Sequence, residues 1–140
     1  MEIATSHAAM PVRTKRWNDA PSDDDGFRLL ICRYRPRGVP KQGEPWDAWW
    51  PELGPSRELL ADYHGKAGAP ISFAEYRPRY LEEMTRQVWR IRDLGARLAA
   101  GDTVTLLCSS ACTDPAICHR TLLAPLVDAA AAHPRKGSSR

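Results

Sequence analysis

The chain has 140 residues, 43% hydrophobic and 26% charged, with a formal net charge of +3. That length implies one domain, long enough to bury roughly two-thirds of its unfolded surface without a covalent or metal staple. So small a charge, with a sequence pI near 8.8, does not by itself mark a nucleic-acid binder, and no apolar run approaches the roughly eighteen residues of a membrane span.

The first residues are short, mixed and weakly apolar, without the charged-then-apolar pattern of an export signal. The expected setting is cytoplasmic, where the four cysteines are metal ligands, a reactive thiol or small buried residues, not a disulfide framework. Residues 1–11 are expected to form a mobile tail, 12–132 a single α/β domain, and 133–140 a second mobile tail.

Val12 to Trp17 can pair as an early strand before the turn-forming, charged Ala20-Pro21-Ser22-Asp23-Asp24-Asp25-Gly26. Phe27 to Tyr34 carries the continuous apolar run Leu29-Leu30-Ile31-Cys32, which suits a central strand covered on both faces. Pro36 then ends pairing and Gly38 allows a turn. Trp46, Trp49 and Trp50 fall at i, i+3 and i+4, one face of a short helix before Pro51 that would pack as a hydrophobic lid. Ser56 caps a helix from Arg57 to about Tyr63, and His64 to Pro70 is a loop. Ser72 and Glu75 form a capping box opening the longest helix. Its apolar stripe runs through Phe73, Tyr76, Tyr80, Met84, Val88, Ile91, Leu94 and Leu98, with a kink expected at Pro78 and a stop at Gly101. A short buried strand, Thr103 to Cys108, leads through small polar residues to a last helix. That helix has Asp114 at its N-cap, Pro115 at N1, a bend at Pro125 and an end near Ala132.

This order predicts a small, mostly parallel sheet flanked by helices with right-handed crossovers. Ligands of such sheets bind beyond the carboxyl ends of the strands. Both apolar strands carry their unusual residues there: Arg33, Arg35 and Arg37 after one, and Cys108 to Arg120 after the other. One cleft is therefore expected to hold both groups.

Four motifs in order resemble the family catalogued as domain of unknown function 488. They are Arg33-x-x-Pro36-Arg37-Gly38, then the Trp-rich segment with Leu53-x-Pro55-Ser56-x-Glu58-Leu59. Tyr76-x-x-x-Tyr80 follows, and last Val104-Thr105-Leu106-Leu107-Cys108 with Cys118-His119-Arg120. The likeness spans about residues 12 to 130 and implies a compact α/β domain in a bacterial or archaeal cytoplasm, without supplying a reaction. The chain departs from that pattern in a longer loop between Cys108 and Cys118, in the extra Cys112, in Ser110 where an acidic residue is frequent, and in Arg35 where one branch has an aromatic.

Three functions fit these residues. In the first, the strand tip and helix start bind a small anionic ligand through Arg33, Arg35, Arg37, Arg120 and His64. Cys108 and Cys118 are then candidate reactive thiols and His119 a general base or acid. The Cys-x5-Arg spacing of phosphatase and rhodanese loops is absent, because Asp114 stands six residues after Cys108. In the second, Cys108, Cys112, Cys118 and His119 hold zinc or iron, although Cys118 and His119 would diverge by about 100° on one helix. In the third, Arg37, Lys41, Trp46, His64, Lys66 and the tails bind nucleic acid. Against all three stand plainer roles: Cys32 and Cys118 as core residues, Arg33 in an ion pair and His64 at a helix C-terminus.

Overall fold

The computed structural model describes residues 11–66 and 68–133, so the expectations for the two tails fall largely outside the described residues. Four strands, β1 (Arg13–Arg16), β2 (Phe27–Leu30), β3 (Ala48–Trp49) and β4 (Val104–Cys108), form one sheet in the order β1-β4-β2-β3. Every pairing is parallel; Arg16 stands opposite Cys108 and Leu30 opposite Leu107. The class is α/β, as the alternation of elements requires.

Alternation along β4 assigns the two faces. Leu106 joins a core with Leu29, Tyr80, Leu94 and Leu123, to which every α-helix among the described residues contributes buried apolar side chains. Leu107 joins a smaller core with Leu30, Cys32 and Trp46, covered by Trp17, Val39 and Trp49. The helices thus lie on one face, while the loops before β2 and β3 close the other.

The Trp-rich segment is not the expected helix. Pro45 and Pro51 bracket five residues, too few to nucleate a helix. Those residues pair instead with the open edge of β2, Asp47 and Trp50 donating to the Arg28 and Leu30 carbonyls at 2.7 and 2.9 Å. Trp46 is buried edge-on to Trp17 at 6.0 Å and presents no face to a base.

Helices α1 (Arg57–His64), α2 (Phe73–Met84) and α3 (Val88–Ala99) lie between β3 and β4. Ser56 caps α1 by accepting from Leu59 N–H, and Glu83 of α2 accepts from the Ser56 backbone N–H at 2.8 Å. The expected long helix is two. Pro78 is absorbed within α2, and the break comes at Thr85–Gln87, a 3-10 turn where the Thr85 hydroxyl donates to the Glu82 carbonyl at 2.6 Å. This turn rephases the stripe, so Val88 is 40% exposed while Ile91, Leu94 and Leu98 stay inside. Gly95 lets α3 cross the last helix, α4 (His119–Ala132), closely: a Cβ there would lie 2.7 Å from the Ala130 Cβ.

At the amino ends of the strands the acidic turn folds inward. Asp25 is 1% exposed, ion-paired with Lys15 at 2.8 Å and with Arg28, and its backbone carbonyl accepts from the Thr105 hydroxyl at 2.8 Å. Burial pushes its carboxyl up, but bonds from Lys15, Ser22 and Arg28 outweigh that and hold it below the usual carboxylate range.

Candidate functional site

A cleft of about 610 Å³ opens at the carboxyl ends of β2 and β4, where a parallel sheet presents its ligand sites. Cys32, Arg33 and Arg37 line it from the β2 side, His64 from the end of α1, and Cys108, Cys112, Cys118 and His119 from the β4 side. Arg37 and Cys108 therefore face one space. Arg35 is not among these residues: it is ion-paired with Glu44 at 2.7 Å and stacks on Trp46 at 5.5 Å. Arg120 also lies outside the lining, 6% exposed, with Nη2 donating to the Cys112 carbonyl at 3.4 Å.

The helix start is displaced from its expected position. Asp114 does accept a capping bond, from Ala116 N–H at 3.0 Å, but this closes only a three-residue 3-10 turn, Pro115–Ile117. The helix proper begins at His119, with Cys118 at its N-cap in extended conformation, φ −125° and ψ 145°. That backbone resolves the divergence expected of neighbouring residues on a helix. With Cys118 outside the helix, both side chains reach Cys108: Cys118 Sγ lies 2.9 Å and His119 Nδ1 3.9 Å from Cys108 Sγ.

His119 is 8% exposed, and its Nε2 lies 2.8 Å from the Ile31 carbonyl oxygen. A carbonyl only accepts, so Nε2 carries hydrogen and Nδ1 is left as the nitrogen facing the thiol. The Tyr80 ring, 5.5 Å away centre to centre, packs against the imidazole, and Tyr80 is fixed through its hydroxyl, which donates to the Leu53 carbonyl at 2.7 Å. Cysteine, imidazole and an orienting group thus stand in the order a nucleophilic site requires.

The electrostatics follow from these neighbours. The Cys32 thiol, then the charge and hydrogen bond of His119 and the Ser109 backbone N–H, bring Cys108 well below the usual thiol range against the opposing effect of burial. The same proton sharing with Cys108, added to burial, pushes Cys32 up. Although Cys32 is the larger influence, the imidazole lies within hydrogen-bond reach of the sulfur and alone among these neighbours can carry a full positive charge. Burial alone would lower the basicity of His119; the Cys108 sulfur reverses this and raises it. Both shifts run in the direction of an imidazolium facing a thiolate.

Cys112 and Cys118 are disulfide-bonded, with Cα atoms 6.4 Å apart, whereas a reducing compartment led to the expectation of free thiols. The Cys108, Cys112 and Cys118 sulfurs lie within 4.8 Å of one another, the spacing of a shared zinc or iron ion. In the bonded form, however, two of the three have no thiolate to offer. The sulfur-bearing loop is held by arginines: Arg16 donates to the Ser110 carbonyl at 3.3 Å and Arg120 to that of Cys112.

Opposite the thiol, Arg33 is steered by the Pro55 carbonyl, which accepts from its Nε at 2.8 Å, and Arg37 is exposed. A Cβ on Gly54 would come within 2.6 Å of the Arg33 backbone nitrogen, so this approach needs glycine. Tyr63 and Tyr76, with ring centres 4.5 Å apart, complete the apolar wall. The sequence motifs did not assign these tyrosines to the site, and the periodicity of α2 placed Tyr76 only as core. The Ile31 carbonyl was equally invisible, being main chain.

A family model described as "Active DUF488-N3 subclade" matches residues 12–131. The uncharacterized protein YeaO of Escherichia coli K12 is 34% identical over 101 residues, covering 72% of this chain and 84% of that protein. The uncharacterized proteins Rv3073c of Mycobacterium tuberculosis H37Rv and Mb3100c of Mycobacterium bovis are each 36% identical over 73 residues, 52% of this chain and 59% of theirs. No solved structure matches.

Proposed function

This chain belongs to the DUF488 family, in its Active DUF488-N3 subclade, and from that premise we propose a thiol-dependent enzyme that acts on a small anionic ligand. The observation that carries this reading is the aligned set Cys108 Sγ, His119 Nδ1 and, behind the ring, the Ile31 carbonyl at 2.8 Å from Nε2. Cys108 is the nucleophile and His119 holds, then returns, its proton. Arg33 and Arg37 bind the phosphate or carboxylate of the ligand and lower the cost of bringing an anion to a thiolate. The apolar wall of Tyr63 and Tyr76 excludes water from the ligand's other side.

No helix among the described residues is long and apolar enough to cross a membrane. We place the protein in the cytoplasm, where small thiols keep Cys108 available.

The test uses two alkylating agents on the reduced protein, anionic iodoacetate and neutral iodoacetamide, with Cys108 labelling read by mass spectrometry. The arginines favour iodoacetate relative to a free cysteine peptide, and Arg37→Ala lowers that preference. An agent ratio equal to that of the peptide, unchanged by Arg37→Ala, removes the anionic half of the reading.

A further inference from the structure

Beyond its contact with His119, Cys108 has a second close neighbour. Its Sγ lies 2.9 Å from the Sγ of Cys118, which is itself bonded to Cys112. All three sulfurs line the cleft within 4.8 Å of one another.

We propose that these sulfurs form a thiol–disulfide exchange relay in which Cys118 is the shared partner and the bridge moves between Cys112 and Cys108. This rests on the reading of Cys108 as the nucleophile.

In the forward step the Cys108 thiolate attacks Cys118 Sγ. The Cys108–Cys118 bond forms, the Cys112–Cys118 bond breaks, and its electron pair leaves on Cys112 as a thiolate. One thiolate and one disulfide stand on each side, so no outside oxidant is needed. With the bridge on Cys108 the nucleophile is blocked. A small-molecule thiol entering the cleft frees the nucleophile: two equivalents reduce the bridge to two cysteine thiols and leave as their own disulfide, so that Cys108, Cys112 and Cys118 are then all reduced.

The architecture suits these roles. Cys108 ends a strand buried along its whole length, and Cys118 caps a 14-residue helix and is 5% exposed, so the attacking and central sulfurs are fixed. Cys112 is half-buried on the loop between them, closed by its own N–H to the Ser109 carbonyl at 3.0 Å. The sulfur that must leave and return is the one on the adaptable segment. The Cys112 carbonyl, held by Arg120 at 3.4 Å, tethers that segment so the thiol stays near.

The full chain, oxidised with diamide at neutral pH, is quenched with N-ethylmaleimide and digested with trypsin. The peptide Leu98–Arg120 then carries all three cysteines, and fragmentation locates the alkylated one. The relay divides the label between Cys108 and Cys112. In Cys112→Ser, oxidation joins Cys108 to Cys118 and abolishes Cys108 labelling, which dithiothreitol restores; in Cys118→Ser, Cys108 stays fully labelled. Label on Cys108 alone in the wild type, with Cys108 still labelled in oxidised Cys112→Ser, overturns the relay. So does a bridge from Cys108 to Cys32. The nucleophile reading fails separately: in fully reduced protein, where no bridge exists, Cys108 would alkylate with the pH dependence of an ordinary thiol.

Discussion

Replacing His119 by Asn tests the thiolate–imidazolium pair through the pH dependence of Cys108 alkylation. Cys108 Sγ and His119 Nδ1 stand 3.9 Å apart, and both residues are buried. At that separation two opposite unit charges attract by about 4 kcal/mol for an effective dielectric of about 20, or about three pKa units. Losing the imidazole should carry the Cys108 midpoint upward by about that amount. In fully reduced wild-type protein the labelling rate then changes by less than about twofold between pH 8 and pH 6, because the thiol is ionised throughout. In His119→Asn it falls by about tenfold or more, and a free cysteine with pKa about 8.5 falls roughly 75-fold. The slope is the readout, because a thiolate of low pKa is intrinsically the weaker nucleophile and raw rates at one pH partly cancel. A wild-type profile as steep as the free peptide, or a variant profile as flat as the wild type, refutes the reasoning.

Three stability predictions follow from the packing. Tyr80→Phe removes the donor to the Leu53 carbonyl in a fully buried setting and should cost about 2 kcal/mol, read as a lower urea midpoint at unchanged m-value. Gly95→Ala forces a Cβ against Ala130 and should cost about 1–3 kcal/mol by the same assay. Asp25 has a lowered pKa in the folded protein, so its contribution is present above the unfolded-state value of about 3.9 and is lost as pH falls through the lower folded value. Asp25→Asn should therefore destabilise by about 3 kcal/mol near neutrality, leaving Lys15 and Arg28 without their carboxylate, and by little once the wild-type carboxyl is protonated. A urea midpoint difference that persists undiminished in acid would contradict that assignment.

Three of the four strands and the cleft were legible because their signals are local. Leu29 to Cys32 reads as a strand buried on both sides, and the residues that follow it must emerge at the same end as those after Cys108 once the sheet is parallel. The errors came where tertiary pairing overrode local pattern. The helical spacing of Trp46, Trp49 and Trp50 lost to the free hydrogen bonds along β2. Likewise the Asp114-Pro115 start signal was real but stopped after one turn, leaving Cys118 as the true N-cap. Arg35 shares the local sequence context of Arg33 and Arg37, and Arg120 directly follows His119; only the positions of Glu44 and of the Cys112 carbonyl set these two arginines apart. The covalent partner of Cys118 depends on how a ten-residue connection folds back on itself, which spacing alone does not encode.

The imidazole is oriented by a peptide carbonyl at the end of β2. No side-chain replacement at residue 31 deletes that acceptor, so mutational scanning should find Ile31 tolerant of other apolar residues while the tautomer persists. Reactivity is instead tied to the backbone pairing that holds this peptide in line, where Ile31 N–H meets the Leu107 carbonyl at 3.0 Å. Fraying of that strand end would switch off the chemistry before the molecule unfolds, making thiol reactivity a local gauge of sheet integrity.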